Sequence, residues 1–177
     1  MRAVGVHTQA LQVVLHRYKV EARREWADVL ARLLLGYLGE RHRALGACDL
    51  IVASPTYLGP GGRRFDHVGL ILEHAARLSQ APGARRWPFA VDVVAKEGPT
   101  QPLKACRTHR ERVIVARTQI RPVLRIASPE RVRGARVIVF DDVFTEGLTL
   151  HEVGRSLLGA GAAEVRGLVL ARQPLTS

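Results

Sequence analysis

The sequence is poor in cysteine, in aromatic residues and in long apolar runs. Its two cysteines, Cys48 and Cys106, form no C-x-x-C pair and are too few for a four-cysteine zinc site. We therefore expect reduced thiols that pack as small hydrophobic side chains. No apolar run approaches the roughly 18 residues of a membrane span, and the apolar stretch of a signal peptide does not follow Arg2. These absences predict a soluble, cytoplasmic protein with no membrane partner.

Aliphatic residues and arginine dominate the chain instead. Apolar residues make up 47% of the 177 residues and aromatic residues only 5%, so the core must be aliphatic. This length predicts a single domain over residues 1–177, with N-terminal helices in 1–45 and an α/β core in 46–177. Arginine supplies 24 of the 27 basic residues, and the net charge is +11. Such a charge attracts nucleic acid and phosphorylated metabolites alike.

Strands and helices are predicted to alternate. Helical spacing of Trp26, Val29, Leu30, Leu33, Leu34, Tyr37 and Leu38 predicts one long helix with these residues on a single face, after a shorter helix that Thr8 caps. Three interpretations of residues 96–121 stay open: a mobile loop, a helix around Gln101–Arg112, or both in turn. The other predicted elements are strands at Leu50–Ala53, Phe89–Ala95, Val137–Phe140 and Val165–Ala171, and helices after Asp66 and over Leu150–Leu158. The alternation predicts an α/β fold, a mostly parallel central sheet with helices on both faces.

One segment, V-I-V-F-D-D-V-F-T-E-G-L-T-L at Val137–Leu150, carries the chemistry. Its buried strand delivers two adjacent carboxylates, Asp141 and Asp142, to the carboxyl edge of the sheet, where ligands of such sheets bind. Backbone amides, two hydroxyls and a helix N-terminus then follow and form a cradle for an anion, over Thr145, Glu146, Gly147, Leu148 and Thr149. Carboxylates accept hydrogen bonds from vicinal hydroxyls. The combination suits a ribose 5-phosphate.

This segment resembles the phosphoribosyl-pyrophosphate (PRPP) motif of type I phosphoribosyltransferases. Within that superfamily the chain is most similar to the ComF branch, which is associated with DNA uptake by competent bacteria. Three further blocks carry the resemblance: Ile51–Pro55 with Arg63–His67, Thr100–Leu103 with the arginines after it, and Gly159–Val165 with Leu170–Arg172. The cysteines of the zinc ribbon found in many ComF proteins are missing from this sequence, so we expect a shortened member that lacks the ribbon.

The resemblance implies a phosphoribosyltransferase of nucleotide metabolism that binds PRPP or a nucleoside monophosphate together with Mg²⁺. The terminal phosphate would lie on Thr145–Thr149 and the ribose hydroxyls on Asp141 and Asp142, with no direct metal ligand: Mg²⁺ would be held by the ligand and by water near the two aspartates. The segment 104–125 would fold over the site as a flexible loop. Pyrophosphate would meet Ser54, Pro55, Thr56, Tyr57 and Arg64.

Two alternatives stay open. Glu146 replaces the usual threonine of the motif and Asp66-His67 replaces Asn-Gln, so a protein that senses PRPP or a nucleotide, or supports DNA uptake, without turnover is the alternative to a transferase. The segment 107–136 holds nine arginines but no aromatic residue for base stacking, so single-stranded DNA is a further candidate partner. The exposed helix at Trp26–Leu38 would allow two copies to form a homodimer.

Overall fold

The computed structural model describes residues 2–6 and 9–172. In this part of the chain, short 3-10 or π-helical turns at Leu103–Ala105, Ala116–Ile120 and Arg121–Val123 accompany the regular elements. In chain order the strands and helices are β1 (Arg2–Val6), α1 (Gln9–Lys19), α2 (Trp26–Leu45), β2 (Leu50–Ala53), α3 (His67–Leu78), β3 (Phe89–Ala90), β4 (Val94–Lys96), α4 (His109–Val115), β5 (Leu124–Ile126), α5 (Pro129–Val132), β6 (Arg136–Phe144), α6 (Leu148–Gly159) and β7 (Glu164–Arg172).

The central sheet has the strand order β1-β7-β6-β2-β3, and every neighbouring pair in it is parallel. Helices α1, α2 and α3 pack on one face, and α5 and α6 on the other. The α/β prediction with a mostly parallel sheet is therefore confirmed. Strands β4 and β5 form a separate antiparallel pair, from which the segment 97–123 extends.

Two aliphatic cores hold these layers together. The larger lies under α1–α3 and includes Leu34, Ile71 and Phe140; the smaller lies under α6 and includes Val139 and Leu157. The cysteines are free thiols, as expected. None of the helices in the described residues is long and apolar enough to cross a membrane.

The long helix differs from its prediction in length and in orientation. It continues to Leu45 and ends at Gly46, whose φ of 67° stops it. Leu30, Leu34 and Leu38 are buried, but Val29 and Leu33 are 44% and 48% exposed. The predicted apolar face was therefore too wide. The buried face includes the alanines at 27 and 31 instead of the larger Val29 and Leu33.

Two of the predicted strands need correction, and one strand was not predicted. The predicted strand 89–95 is two strands in different sheets, since β3 pairs with β2 while β4 pairs with β5. Strand β6 does not end at Phe140 but runs to Phe144, and β1 was not predicted. Thr8, the predicted cap of α1, lies outside the described residues. Asp66 does cap α3, since its carboxylate accepts a hydrogen bond from the Gly69 amide at 3.0 Å.

Candidate functional site

Strand β6 places the two aspartates on opposite faces of the sheet. The strand stays paired with β7 beyond them, in the register Asp141–Val169 and Val143–Ala171. Because successive side chains of a strand alternate, Asp141 faces α6 while Asp142 faces α1 and α3. The Asp142 amide donates to the Asp141 carboxylate at 2.9 Å. The pair is therefore adjacent along the chain but serves two different environments.

A small pocket lies at the carboxyl end of β6, beside the start of α6. Its volume is about 50 Å³, which is room for a few water-sized groups or one tetrahedral anion. Of the residues predicted from the sequence it gathers all five of the loop and one of the two aspartates. The lining consists of Leu103, Arg112, Asp141, Val143, Thr145, Glu146, Gly147, Leu148, Thr149 and Leu150.

The backbone of the loop is shaped for an anion. Gly147 has φ 72° and is the N-cap of α6, and its carbonyl accepts the first helical bond, from the His151 amide at 2.8 Å. No side chain in the described part of the chain caps this helix. The amides of its first turn thus keep free donors at the positive end of the helix dipole, directed at the pocket.

Replacing Gly147 by alanine tests this geometry. A Cβ at Gly147 would lie 2.3 Å from Cε2 of Phe144, and left-handed backbone costs other residues about 1–2 kcal/mol. We expect Gly147→Ala to lose about that much stability in urea unfolding and to bind ribose 5-phosphate more than about tenfold more weakly. The matched control is Gly134→Ala, at φ 74° with open space around the Cβ. Equal affinities in the two variants would contradict the assignment.

Asp142 is fixed in a buried charge network on the other face. It is 3% exposed, and its Oδ2 lies 2.5 Å from Lys19 Nζ and 3.3 Å from His67 Nε2. Lys19 is the last residue of α1 and His67 the first of α3. The Tyr18 hydroxyl donates to the His67 carbonyl at 2.6 Å, which joins the same two helices. Asp142 therefore ties α1 and α3 to β6.

The two environments drive the pKa values of the aspartates apart. Burial, and then repulsion by Asp142, raise the pKa of Asp141 to about 7. Burial alone would raise the pKa of Asp142 too, but attraction by Lys19 and His67 outweighs it and holds that pKa well below its usual range. Near neutral pH one carboxyl is charged and compensated, while the other, at the pocket, is poised to gain or lose a proton.

The loop predicted to meet pyrophosphate leaves the sheet next to Asp141. The Ser54 amide donates to the Phe140 carbonyl at 2.8 Å, and Thr56 Oγ1 lies 3.5 Å from His67 Nδ1. The loop then folds back, since the Tyr57 carbonyl accepts from the Arg63 amide at 2.9 Å. Ser54, Pro55, Thr56 and Tyr57 thus border the site, outside the lining of the small pocket, and Arg64 is exposed. Their contact with pyrophosphate stays a prediction.

The carboxylate of Glu146 pairs with two side chains of α4. Its two oxygens accept from Arg112 Nε at 2.7 Å and from the Arg112 terminal nitrogen at 2.6 Å, and His109 Nδ1 lies 3.2 Å from Oε2. These hydrogen bonds, led by the one from Arg112, lower the pKa of Glu146. A second pair, Arg121 with the buried Glu152 at 2.6 Å, joins the same segment to α6. The predicted flexible loop is here a set of helical turns docked on the loop 145–149.

Sequence reasoning missed the cations of the site. Lys19, Arg112 and His109 lie far along the chain from their acidic partners, so no local motif connects them. The rarity of lysine was one signal in the sequence, since only three of the 27 basic residues are lysines. In the structure two of these three, Lys19 and Lys96, are partly buried. Burial, and then repulsion by Arg63, lower the pKa of Lys96, and its ammonium donates to the Thr100 hydroxyl at 2.7 Å.

The parallel sheet with helices on both faces, and the pocket that Asp141 and residues 145–149 line at the start of α6, define an α/β protein with a pocket at the carboxyl edge of its sheet. Residues 87–176 match the family model of the phosphoribosyl transferase domain, and the chain belongs to this family.

Curated relatives of the chain carry the name DNA utilization protein YhgH. The protein of Escherichia coli strain K12 is 27% identical over 172 residues, and that of Salmonella typhi is 28% identical over 173. Each alignment covers 96% of this chain and 70% of the relative. Among solved structures, a hypoxanthine phosphoribosyl transferase of Trypanosoma cruzi aligns with a TM-score of 0.48 at 11% identity, over 84% of this chain and 66% of that one.

Proposed function

We propose that the protein binds PRPP, or another ribose 5-phosphate ligand, with Mg²⁺ and transfers the phosphoribosyl group to a nitrogen nucleophile of an acceptor. One observation carries this proposal: Asp141, Thr145, Gly147 and Thr149 line a single pocket at the uncapped start of α6. A tetrahedral dianion matches the pocket, and a sugar attached to it would reach the carboxyl of Asp141. Membership of the phosphoribosyl transferase family supports the same ligand.

In the proposed reaction the chain's own groups act by positioning and by charge. Amides of residues 147–149 and the hydroxyls of Thr145 and Thr149 hold the terminal phosphate, and Asp141 accepts a hydrogen bond from a ribose hydroxyl. The acceptor nitrogen forms a bond to C1 while the bond from C1 to the pyrophosphate oxygen breaks, and the oxygen keeps the electron pair. Such fixed donors lower the barrier without a covalent intermediate.

The donor set fits a magnesium ion held mostly by its ligand. The described residues contain no group of three or more acidic, histidine or cysteine side chains that could hold a metal, and Mg²⁺ prefers few protein carboxylates together with phosphate oxygens and water. Asp141 is the carboxyl at the pocket, and it would reach the ion through water. When bound, the ion neutralises charge on the leaving pyrophosphate.

Pyrophosphate release tests the proposed function. We expect release from PRPP that requires both Mg²⁺ and an acceptor, found by screening a panel of bases and amines, and a loss of about tenfold or more in kcat/KM for Thr149→Val, since one hydroxyl contact to a dianion is worth about 1.5–3 kcal/mol. Thr118→Val is the matched control, because its hydroxyl bonds only within its own segment, to the Ile114 carbonyl. A Thr149→Val variant as active as wild type would contradict the role of the loop.

A binding protein without turnover, associated with DNA uptake, is the second candidate, and the name of the YhgH relatives favours it. Five of the nine arginines of 107–136 form ion pairs with carboxylates, but Arg107, Arg110 and Arg117 are exposed. For this candidate, PRPP binds without pyrophosphate release, and single-stranded DNA binds with an affinity that falls steeply as salt rises. No binding of DNA at low salt would remove the DNA role.

A further inference from the structure

Arg112 binds the carboxylate of Glu146 in the way that an arginine binds an anionic ligand. Arg112 presents two parallel N–H groups to the two oxygens of Glu146, at 2.7 and 2.6 Å, the same fork with which arginine binds a phosphate. His109 adds a third nitrogen at 3.2 Å. Arg112 also lines the small pocket, together with the threonines of the phosphate loop. Arg112 and His109 therefore form an anion-binding group at the pocket, and the carboxylate of Glu146 occupies it.

A second ion pair also attaches the segment 103–123 to the rest of the protein. Glu152, which is 2% exposed, accepts from Arg121 at 2.6 and 3.2 Å and joins the end of the same segment to α6. The carboxylate of Glu146 is more open to solvent, since its side chain is 34% exposed and that of Glu152 only 3%, so the bridge between Glu146 and Arg112 exchanges more easily. The pair of Arg121 with the buried Glu152 would keep the segment docked when the Arg112–Glu146 pair opens.

We propose that Glu146 is a built-in competitor: its carboxylate occupies the Arg112 fork until the terminal phosphate of a phosphoribosyl ligand displaces it, so that Arg112 and His109 are phosphate-binding residues. This inference rests on the proposed function, in which the loop 145–149 binds that phosphate. A phosphate monoester displaces the carboxylate because it carries close to two negative charges and receives the loop amides as well. The cost of displacement keeps the affinity of the wild-type protein low.

Removal of the competitor is the first test, with ribose 5-phosphate as the probe in isothermal titration. We expect Glu146→Gln to bind the probe about 5- to 20-fold more tightly than wild type, and Glu146→Thr to do the same with a shorter side chain. Glu164→Gln is the matched control, because Glu164 also pairs with an arginine, at 3.2 Å, but begins β7 at the opposite edge of the sheet. Its affinity should equal that of wild type.

A double-mutant cycle separates competition for Arg112 from simple repulsion of the phosphate. Arg112→Gln should weaken binding, and Glu146→Gln should then bring no gain in the Arg112→Gln background. If Glu146 only repelled the ligand through space, the gain would persist there. Thermal unfolding of each variant confirms that it is folded.

The outcomes also separate this inference from the function on which it rests. If the wild type binds the probe and neither Glu146→Gln nor Glu146→Thr binds it more tightly, the proposal that Glu146 competes with the phosphate is wrong. The proposal that the loop 145–149 binds phosphate is not affected by that result. A gain that persists without Arg112 would also overturn the proposed competition. If no variant binds ribose 5-phosphate or PRPP, Glu146→Gln included, both proposals fail.

Discussion

Asp141→Asn is expected to abolish two pH-dependent properties of the wild type, a ligand affinity that rises with pH and a folding stability that falls with pH. As a carboxylate, Asp141 accepts a hydrogen bond from a ribose hydroxyl, so wild-type affinity for ribose 5-phosphate should increase as the pH rises through about 7, the pKa of Asp141. The asparagine variant should lack this pH dependence and bind about 10- to 100-fold more weakly at pH 8, where a hydrogen bond to a charged group is lost.

The folding stability of the wild type changes in the opposite direction and decreases as the pH rises. The pKa of Asp141 in the folded protein, about 7, lies above the ordinary value of 3.8, so between about pH 4 and 7 the folded protein keeps a proton that the unfolded chain has lost. The associated stability is fully present below about pH 4 and is lost as the pH rises through 7. We expect wild type to lose about 2–3 kcal/mol between pH 5 and pH 8 relative to Asp141→Asn.

Urea unfolding and titration at several pH values measure the two effects on the same variants. Asp92→Asn is the control, since Asp92 is an exposed carboxylate paired with Arg131 at 3.0 Å, and it should keep the wild-type pH profile in both experiments. If wild type and Asp141→Asn show parallel profiles, Asp141 is not the titrating group at the pocket.

Lys19→Met is expected to cause the largest loss of stability among single changes at the site. It removes the cation at 2.5 Å from the carboxylate of Asp142 and leaves that charge buried at 3% exposure. Breaking a buried ion pair on one side costs about 3 kcal/mol or more. Lys104→Met, at an exposed lysine, should cost almost nothing, and urea unfolding at pH 7 compares the two.

The double variant Lys19→Met/Asp142→Asn tests the physical reason for this loss. Asparagine at position 142 carries no charge that needs a cation beside it, so the double variant should regain at least half of the stability that Lys19→Met loses. Additive losses in the double variant would mean that Lys19 acts through the packing of its aliphatic chain. A single variant as stable as Lys104→Met would contradict the network altogether.

Periodicity and local motifs predicted the parallel sheet, α3 with its Asp66 cap, and the position of the loop 145–149 at the carboxyl edge of the sheet. These features depend on neighbours in the chain: the four residues of β2 form one apolar run, and Gly147 has to supply the left-handed turn at the start of α6. The position of the loop 145–149 could therefore be predicted without knowledge of contacts between distant residues. Its five predicted residues line one pocket.

Features that depend on distant charges were not predictable in this way. Two aspartates in succession look like the end of a strand, yet β6 continues to Phe144 because Lys19 and His67 compensate Asp142 inside the protein. The helical turns of 103–123 are held by the Arg112–Glu146 and Arg121–Glu152 pairs, which join residues more than thirty positions apart. No local pattern encodes such pairs.

A crystal structure of the protein with ribose 5-phosphate tests the central claim most directly. The phosphate should lie within hydrogen-bond distance of the amides of residues 147–149 and of Thr149 Oγ1, with the ribose directed toward Asp141. A phosphate bound at any other surface, with the first turn of α6 left empty, would contradict the account.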